Sequence, residues 1–227
     1  MKKGVITLLD ILGWKGVWQR NPNAIESLIE IINMAKSLSL ELFERESFGD
    51  KKSKNIFKGM ETSVVSISDT IAVVSYGDTN KLINCHAILS AFIISKSIEV
   101  GLPVRGAICC GDLHTKDNIF AGPAVDEVAS WYETVDWIGV MLTPSALLEY
   151  IPVSDVTDKI LIEYTVIVKN TGPYNTKCVN WHRAWKIQDQ KGEAELKKQF
   201  SKLGPITPDI SNKLMNTLMF FNKVENN

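Results

Sequence analysis

The chain has little from which to build a disulfide framework or a metal cluster: its 227 residues include four cysteines and three histidines. His86, His114 and His182 lie far apart in the sequence and show no ligand spacing. Cys85, Cys109, Cys110 and Cys178 do not form a bridging pattern, and the adjacent pair Cys109–Cys110 would point to opposite faces of a strand. They read as thiols of a reducing compartment, so the expected localisation is cytoplasmic. Charge of one sign is lacking too. Lys and Arg number 25 against 26 Asp and Glu, a net charge of −1, which supplies no field for a nucleic acid or an anionic membrane surface. The expectation is no nucleic-acid and no membrane partner. Long apolar runs are missing: the stretch from Val5 to Leu9 stops at Asp10, too short for a span or a signal segment. No Gly-rich Walker loop and no Ser–His–Asp spacing is present.

What is there is ordinary in bulk, with 45% hydrophobic and 22% charged residues, enough to bury the core of one domain with a modest extension. Residues 4–9 predict a buried strand. Ile25, Leu28, Ile29, Ile32, Ala35, Leu38, Leu40 and Leu42 keep a helical period to about Phe43. A charged, turn-rich stretch over 44–58 predicts a surface loop. Two strands, 61–67 and 70–76, meet at Ser68–Asp69 as a tight hairpin, and a second long helix runs from Asp78–Thr79 to Val100, ended by Gly101 and Pro103. A strand over 104–111, turn residues over 112–118, a short helix over 122–133, a strand over 135–142 and a helix from Thr143–Pro144 follow. A hairpin then pairs Leu161–Lys169 with Lys177–Trp181, and two C-terminal helices cover 192–203 and 208–223. The second carries Ile210, Leu214, Leu218 and Phe221 on one side, to dock on the core or to join a partner. The order predicts an α+β fold, a ferredoxin-like antiparallel sheet covered by helices. The expected division is a domain over 1–190 and a helical extension over 191–227.

Asp10 stands at the end of the first strand, with Gly13 three residues on. A buried carboxylate is costly unless something positive meets it, and a glycine lets backbone N–H groups approach a phosphate. In a strand–helix–hairpin arrangement the hairpin tip lies beside the end of the first strand, which brings Asp69 to Asp10. Two carboxylates so placed share a proton or bind a divalent cation, and oxygen-only ligands suit Mg2+ or Mn2+. Equally, Asp69 reads as a plain turn residue. Trp131, Trp137, Trp181 and Trp185 read as core or interface packing rather than as base-stacking platforms. Asp112 and His114 fall in a turn after a strand, within reach of the site or solvent-exposed.

Leu9-Asp10-Ile11-Leu12-Gly13-Trp14 resembles the Asp-Ile-x-Gly-Phe stretch of class III nucleotidyl cyclases, the adenylate and guanylate cyclase family. Ser68-Asp69 falls at that family's Gly-Asp hairpin, and Val104-Arg105-Gly106-Ala107-Ile108-Cys109-Cys110-Gly111 is similar to its Arg-Val-Gly-Ile-x-x-Gly strand. Gly122-Pro123-Ala124-Val125-Asp126-Glu127-Val128-Ala129-Ser130 takes the place of its Gly-x-x-Val-Asn-x-Ala-x-Arg helix. The resemblance covers residues 5–130, and the run from Val166 to Trp181 is similar to the family's last hairpin. It implies that Asp10, Asp69 and the carbonyl of Ile11 hold two Mg2+ or Mn2+ ions per site. It further implies that Gly13, Trp14, Arg105 and Lys169 hold substrate phosphates and that a homodimer completes the site. The substrate it implies is a nucleoside triphosphate.

Departures from that pattern narrow the expectation. Ser130 stands at the family's transition-state arginine, and Asp126 or Glu127 at its asparagine. Val65 replaces the purine-selecting lysine and Ile119 its acidic partner. A purine pocket read by hydrogen bonds loses its partners here. The chain therefore reads as an inactive binding or dimerisation module, a purine cyclase with other pocket groups, or a pyrimidine cyclase. Its wording is similar to the compact pyrimidine cyclases of Pycsar antiphage defence, which implies UTP or CTP as substrate and a separately encoded cyclic-nucleotide effector as partner. Val65, Asp126 and Glu127 are the expected base and ribose neighbours.

Overall fold

The computed structural model describes residues 1–44, 57–117, 119–152, 159–189, 192–204 and 206–225. Most of the surface loop expected over 44–58 lies outside them. The chain begins with β1 (Lys2–Ile11), a short α1 (Val17–Arg20) and the long α2 (Ala24–Glu44). A hairpin of β2 (Glu61–Ile67) and β3 (Thr70–Tyr76) leads to α3 (Thr79–Glu99) and β4 (Val104–Lys116). Then come β5 (Ile119–Ala121), α4 (Pro123–Trp131), β6 (Gly139–Leu142) and α5 (Pro144–Glu149). A second hairpin, β7 (Leu161–Val168) and β8 (Gly172–Val179), is followed by α6 (Trp181–Asp189), α7 (Glu193–Ser201) and α8 (Pro208–Glu225).

The sheet runs β2-β3-β1-β4-β6-β8-β7, with β5 paired to the far end of β4. Its first four strands have the ferredoxin-like order, and the fold is α+β. β1 is central because it is apolar on both faces and finds antiparallel partners on both sides, β3 and β4. α3 is capped by Asp78, whose Oδ1 accepts the Lys81 N–H at 3.2 Å, and stops at Gly101, whose φ of 76° only glycine adopts easily. This helix is long and apolar enough by composition to cross a membrane, but 78% of the apolar window is buried inside the fold. Its His86 pins it to the sheet: Nδ1 pairs with Thr7 Oγ1 at 2.8 Å and Nε2 with Ser75 Oγ at 2.9 Å.

Several elements differ from the sequence reading. β1 runs two residues past the expected 4–9 at each end, so Asp10 pairs within it and the ladder continues to Ile11. β4 runs on to Lys116, so Asp112 and His114 are strand residues; Asp112 pairs with Lys3 and His114 with Ala121 of β5. β6 is shorter than the expected 135–142, since Val135 makes only an isolated bridge to Val168 and the Ile138 N–H is claimed by Thr217 of α8 at 2.8 Å. The buried stripe of α2 is Ala24, Ile31, Ala35, Ser39, Leu42 and Phe43, rotated from the expected one, which leaves Ile25, Ile29 and Leu40 exposed. The extension docks on the core: Leu196, Phe200, Leu214, Phe220 and Phe221 join the same hydrophobic cluster as β1. Trp137 and Tyr164 stack at 5.5 Å, and Phe220 meets both edge-on. Trp137, Trp181 and Trp185 are core residues, while Trp131 is half-buried against Tyr174. All four cysteines are free and buried.

Candidate active site

The register places Asp10 opposite Thr70 on one side and Arg105 on the other. In an antiparallel ladder directly opposed residues share a face, so Thr70, Asp10 and Arg105 form one row across the sheet. That face is the one turned away from His86, because Thr7, which touches His86, alternates with Asp10 along the strand. Arg105 Nε donates to Asp10 Oδ2 at 2.9 Å, and its Nη1 donates to the Val135 carbonyl at 3.1 Å. Both residues are nearly enclosed, Asp10 at 9% exposure and Arg105 at 7%. Burial holds the Asp10 carboxyl above the usual carboxylate range; the Arg105 guanidinium opposes that shift, and Glu133 and Asp69 add to it. Asp10 thus carries a charge that its surroundings do not fully offset. Its second oxygen takes no hydrogen bond from a described residue.

Asp69 comes to this row through the hairpin tip. Ser68 adopts a left-handed φ of 56°, which closes the turn between β2 and β3. The Asp69 carbonyl then accepts the Ile11 N–H at 2.9 Å, bolting the tip to the end of β1. The Asp69 carboxylate is close enough to add to the cost of the Asp10 charge. Tyr132 and Glu133, just past α4, stand over the same row. The Tyr132 hydroxyl is pushed up to about 12 by burial first and then by Glu133, with Asp10 contributing.

Beyond Ile11 the chain turns sharply. The Leu12 N–H reaches the Pro103 carbonyl at 2.8 Å, and Gly13 takes a φ of 72°. Among the described residues the Gly13 and Trp14 amides donate to no acceptor, so both are free for a phosphate oxygen. Arg20 of α1 donates Nη2 to the Gly13 carbonyl and Nη1 to the Leu203 carbonyl at 3.1 Å, tying this turn to the end of α7. Trp14 packs edge-on against Trp18 at 5.3 Å. From the other side Lys169 approaches: its N–H donates to the Thr134 carbonyl at 2.8 Å, one residue from the carbonyl that holds Arg105. Burial lowers the Lys169 ammonium's affinity for its proton, and the charges of Arg105 and Lys213 lower it further.

The structure therefore brings Asp10, Ile11, Asp69, Gly13, Trp14, Arg105 and Lys169 to one edge of the sheet. Val65 shares the open face, in the row Val65–Ala72–Leu8–Ala107, about 12 Å from Asp10 by strand spacing. Glu127 is engaged elsewhere: its Oε1 accepts the Ser145 N–H at 3.0 Å at the start of α5, and Ser145 touches Cys109, four residues and about 13 Å along β4 from Arg105. Asp126 is exposed, and its carbonyl accepts the Ser130 hydroxyl at 2.9 Å. Ile119 is exposed on β5. Asp112 and His114 lie toward the opposite end of β4 from Arg105. Sequence reasoning missed Tyr132, Glu133, Arg20, Asp136 and Lys213. For Lys213 a signal existed: it sits at helical spacing with Ile210, Leu214 and Thr217, a charge on the apolar stripe of α8.

The donor set suits a hard divalent cation. Asp10 is buried with an oxygen to spare, Asp69 lies near enough to act on its charge, and Ile11 is joined to Asp69 by its N–H. Among the described residues no three His, Cys, Asp or Glu side chains group to hold a metal. An ion here would complete its shell with water and phosphate oxygens, the usual habit of Mg2+.

The sequence matches no protein-family model and no curated protein. Among solved structures it is similar to the catalytic core of a rhodopsin-guanylyl cyclase with converted specificity in complex with ATPαS, at 12% identity over 78% of this chain and 94% of that one, with a TM-score of 0.48. It is similar to the adenylyl cyclase CyaB from P. aeruginosa, at 13% identity over 78% and 93%, with a TM-score of 0.43. Adenylate cyclases from Trypanosoma brucei in their monomeric state align at 13% identity over 80% and 90%, with a TM-score of 0.46. At this distance the likeness carries no residue roles from those proteins to this chain.

Proposed function

We propose that the chain is a nucleotide cyclase. A nucleoside triphosphate lies along the Asp10 edge, its ribose 3′-oxygen attacks the α-phosphorus, and the bond to pyrophosphate breaks as the ring closes. The observation that carries this reading is the convergence, at one edge, of two neighbouring carboxylates, two cations and two free backbone N–H groups. Asp10 and Asp69, with the Ile11 carbonyl, would hold Mg2+ or Mn2+. Bound there, the cation would lower the pKa of the 3′-hydroxyl and offset triphosphate charge. Gly13 and Trp14 offer their amides to phosphate oxygens. Arg105 turns from Asp10 toward the leaving pyrophosphate, and Lys169 adds a second charge beside it.

The preferred base in this reading is a pyrimidine. Val65 and Leu8 give the open face an apolar floor where a purine reader would need a hydrogen-bonding side chain, and Ile119 is turned to solvent. The resemblance in wording extends the reading to UTP or CTP, with the cyclic product passed to a separate effector in a cytoplasmic antiphage response. Ile67 is exposed beside Val65 on that face, which fits a second copy completing the site as a homodimer. A competing reading, a binding module without activity, draws on Arg105 already occupying Asp10 and on Ser130 being tied to its own helix.

Incubating the purified chain with each of the four NTPs and Mn2+ and identifying products by mass separates these readings. We expect a cyclic pyrimidine monophosphate, lost by at least a hundredfold in Asp69→Asn. No cyclic product from a confirmed dimer would leave the inactive module standing. Cyclic AMP alone would overturn the pyrimidine preference.

A further inference from the structure

The roles above leave α8 without a part in the site, yet α8 grips the stretch on which the phosphate clamp hangs. Thr134, Val135 and Asp136 connect α4 to β6, and each is held by a different element. The Thr134 carbonyl accepts the Lys169 N–H at 2.8 Å, and the Val135 carbonyl accepts Arg105 Nη1 at 3.1 Å. The Asp136 carbonyl accepts Asn216 Nδ2 of α8 at 2.8 Å. The Asp136 carboxylate faces Lys213, whose Nζ stands 3.3 Å from Oδ1, near enough for charge without hydrogen-bond alignment. Lys213 is 8% exposed and also donates to Asp209 Oδ2 at 2.6 Å. With two carboxylates beside it, this ammonium has no charge left over for a substrate. Besides the field it adds at Lys169, the contact it makes with the site is through Asp136.

We propose that Lys213 is a positioning residue, and that the Lys213–Asp136 contact fixes the stretch 134–136 so that Arg105 and Lys169 point at the same phosphate group. The inference rests on reading this edge as a triphosphate site. The electrostatics agree: Lys169 lies within the field of Arg105 and Lys213, with Asp136 and Asp209 opposing them. Releasing Asp136 would free the Val135 and Thr134 carbonyls to shift, and both clamp residues would shift with them.

The test uses the full chain as wild type, Lys213→Met, Lys213→Arg, Asp136→Asn and, as control, Lys186→Gln. Lys186 pairs with Glu225 at 2.7 Å and tethers α8 away from the site. Titration calorimetry with inorganic tripolyphosphate in Mg2+ buffer reads the clamp directly, and kcat and KM are measured on the NTP that the wild type cyclises. Lys213→Met and Asp136→Asn are expected to weaken tripolyphosphate about tenfold and to raise KM similarly, with kcat little changed. Lys213→Arg, which can reach both carboxylates, restores both values, and Lys186→Gln matches wild type. A merely structural role would lower kcat with the folded fraction and leave KM alone; that result, or wild-type affinity in Lys213→Met, overturns the proposal. Should Lys213→Met fail to fold, Asp136→Asn carries the same test. A wild type that binds tripolyphosphate, with the variants showing this pattern of affinities, but that cyclises no NTP would defeat the cyclase reading and leave this one standing. A wild type that binds no tripolyphosphate overturns this proposal, and the cyclase reading is then decided by the product assay alone.

Discussion

Asp10 is in tension with the fold around it. Burial first, then Glu133 and Asp69, together raise the cost of its charge more than Arg105 lowers it. A residue placed for its chemistry often destabilises the protein that carries it. Asp10→Asn keeps an acceptor for Arg105 but removes the charge that would hold a cation, so it is expected to abolish cyclic product. In a thermal scan Mn2+ should raise the wild-type Tm, by about 2.7 kcal/mol of stabilisation at a hundredfold excess over Kd, and leave Asp10→Asn unmoved. An Asp10→Asn variant that Mn2+ stabilises as much as wild type would refute the account of Asp10. The residues of this row were legible because each sits in a short stretch with its own wording: Asp10 after an apolar run, Asp69 at a hairpin tip, Arg105 before a glycine. Tyr132 and Glu133 had no such context, because only the packing of α4 turns the residues after it over the row.

At the scale of elements, period and punctuation located what local sequence controls. β2 and β3 fall on the expected residues because alternation and the Ser68–Asp69 turn both specify them. Elements that depend on a distant partner were misjudged. β6 loses its first residues to α8, and α6 begins at Trp181 where a strand was expected to end, although Trp181 and Trp185 already stand one helical turn apart. β5 is a three-residue strand that exists only as the partner of β4. The grip of α8 can be weighed. Phe220 is fully buried among Trp137, Tyr164 and Trp181, and Phe220→Ala should cost about 3–5 kcal/mol in urea unfolding. A loss below 1 kcal/mol would mean that α8 is dispensable to the core.

The whole molecule should respond to acid through His86. This imidazole is fully buried, bonded to Thr7 and Ser75, and burial lowers it to about 3. Below about pH 6.5 the unfolded chain takes up this proton and the native one does not. Stability is therefore full above that pH and falls by up to ~1.4 kcal/mol per unit as the pH drops toward 3. Denaturant titrations across that window should show the slope in wild type and a shallower one in His86→Gln. The arrangement that sets the pH response also joins parts of the sequence that are far apart, and Arg20 does so most plainly. One guanidinium holds the carbonyl of Gly13 and that of Leu203. A ribosome delivers the first of these long before the second, at about 5–20 residues per second. The turn at Gly13 therefore waits, unbraced, for residues made long after it, and until Leu203 has been added the Arg20 guanidinium can hold only the first of its two carbonyls.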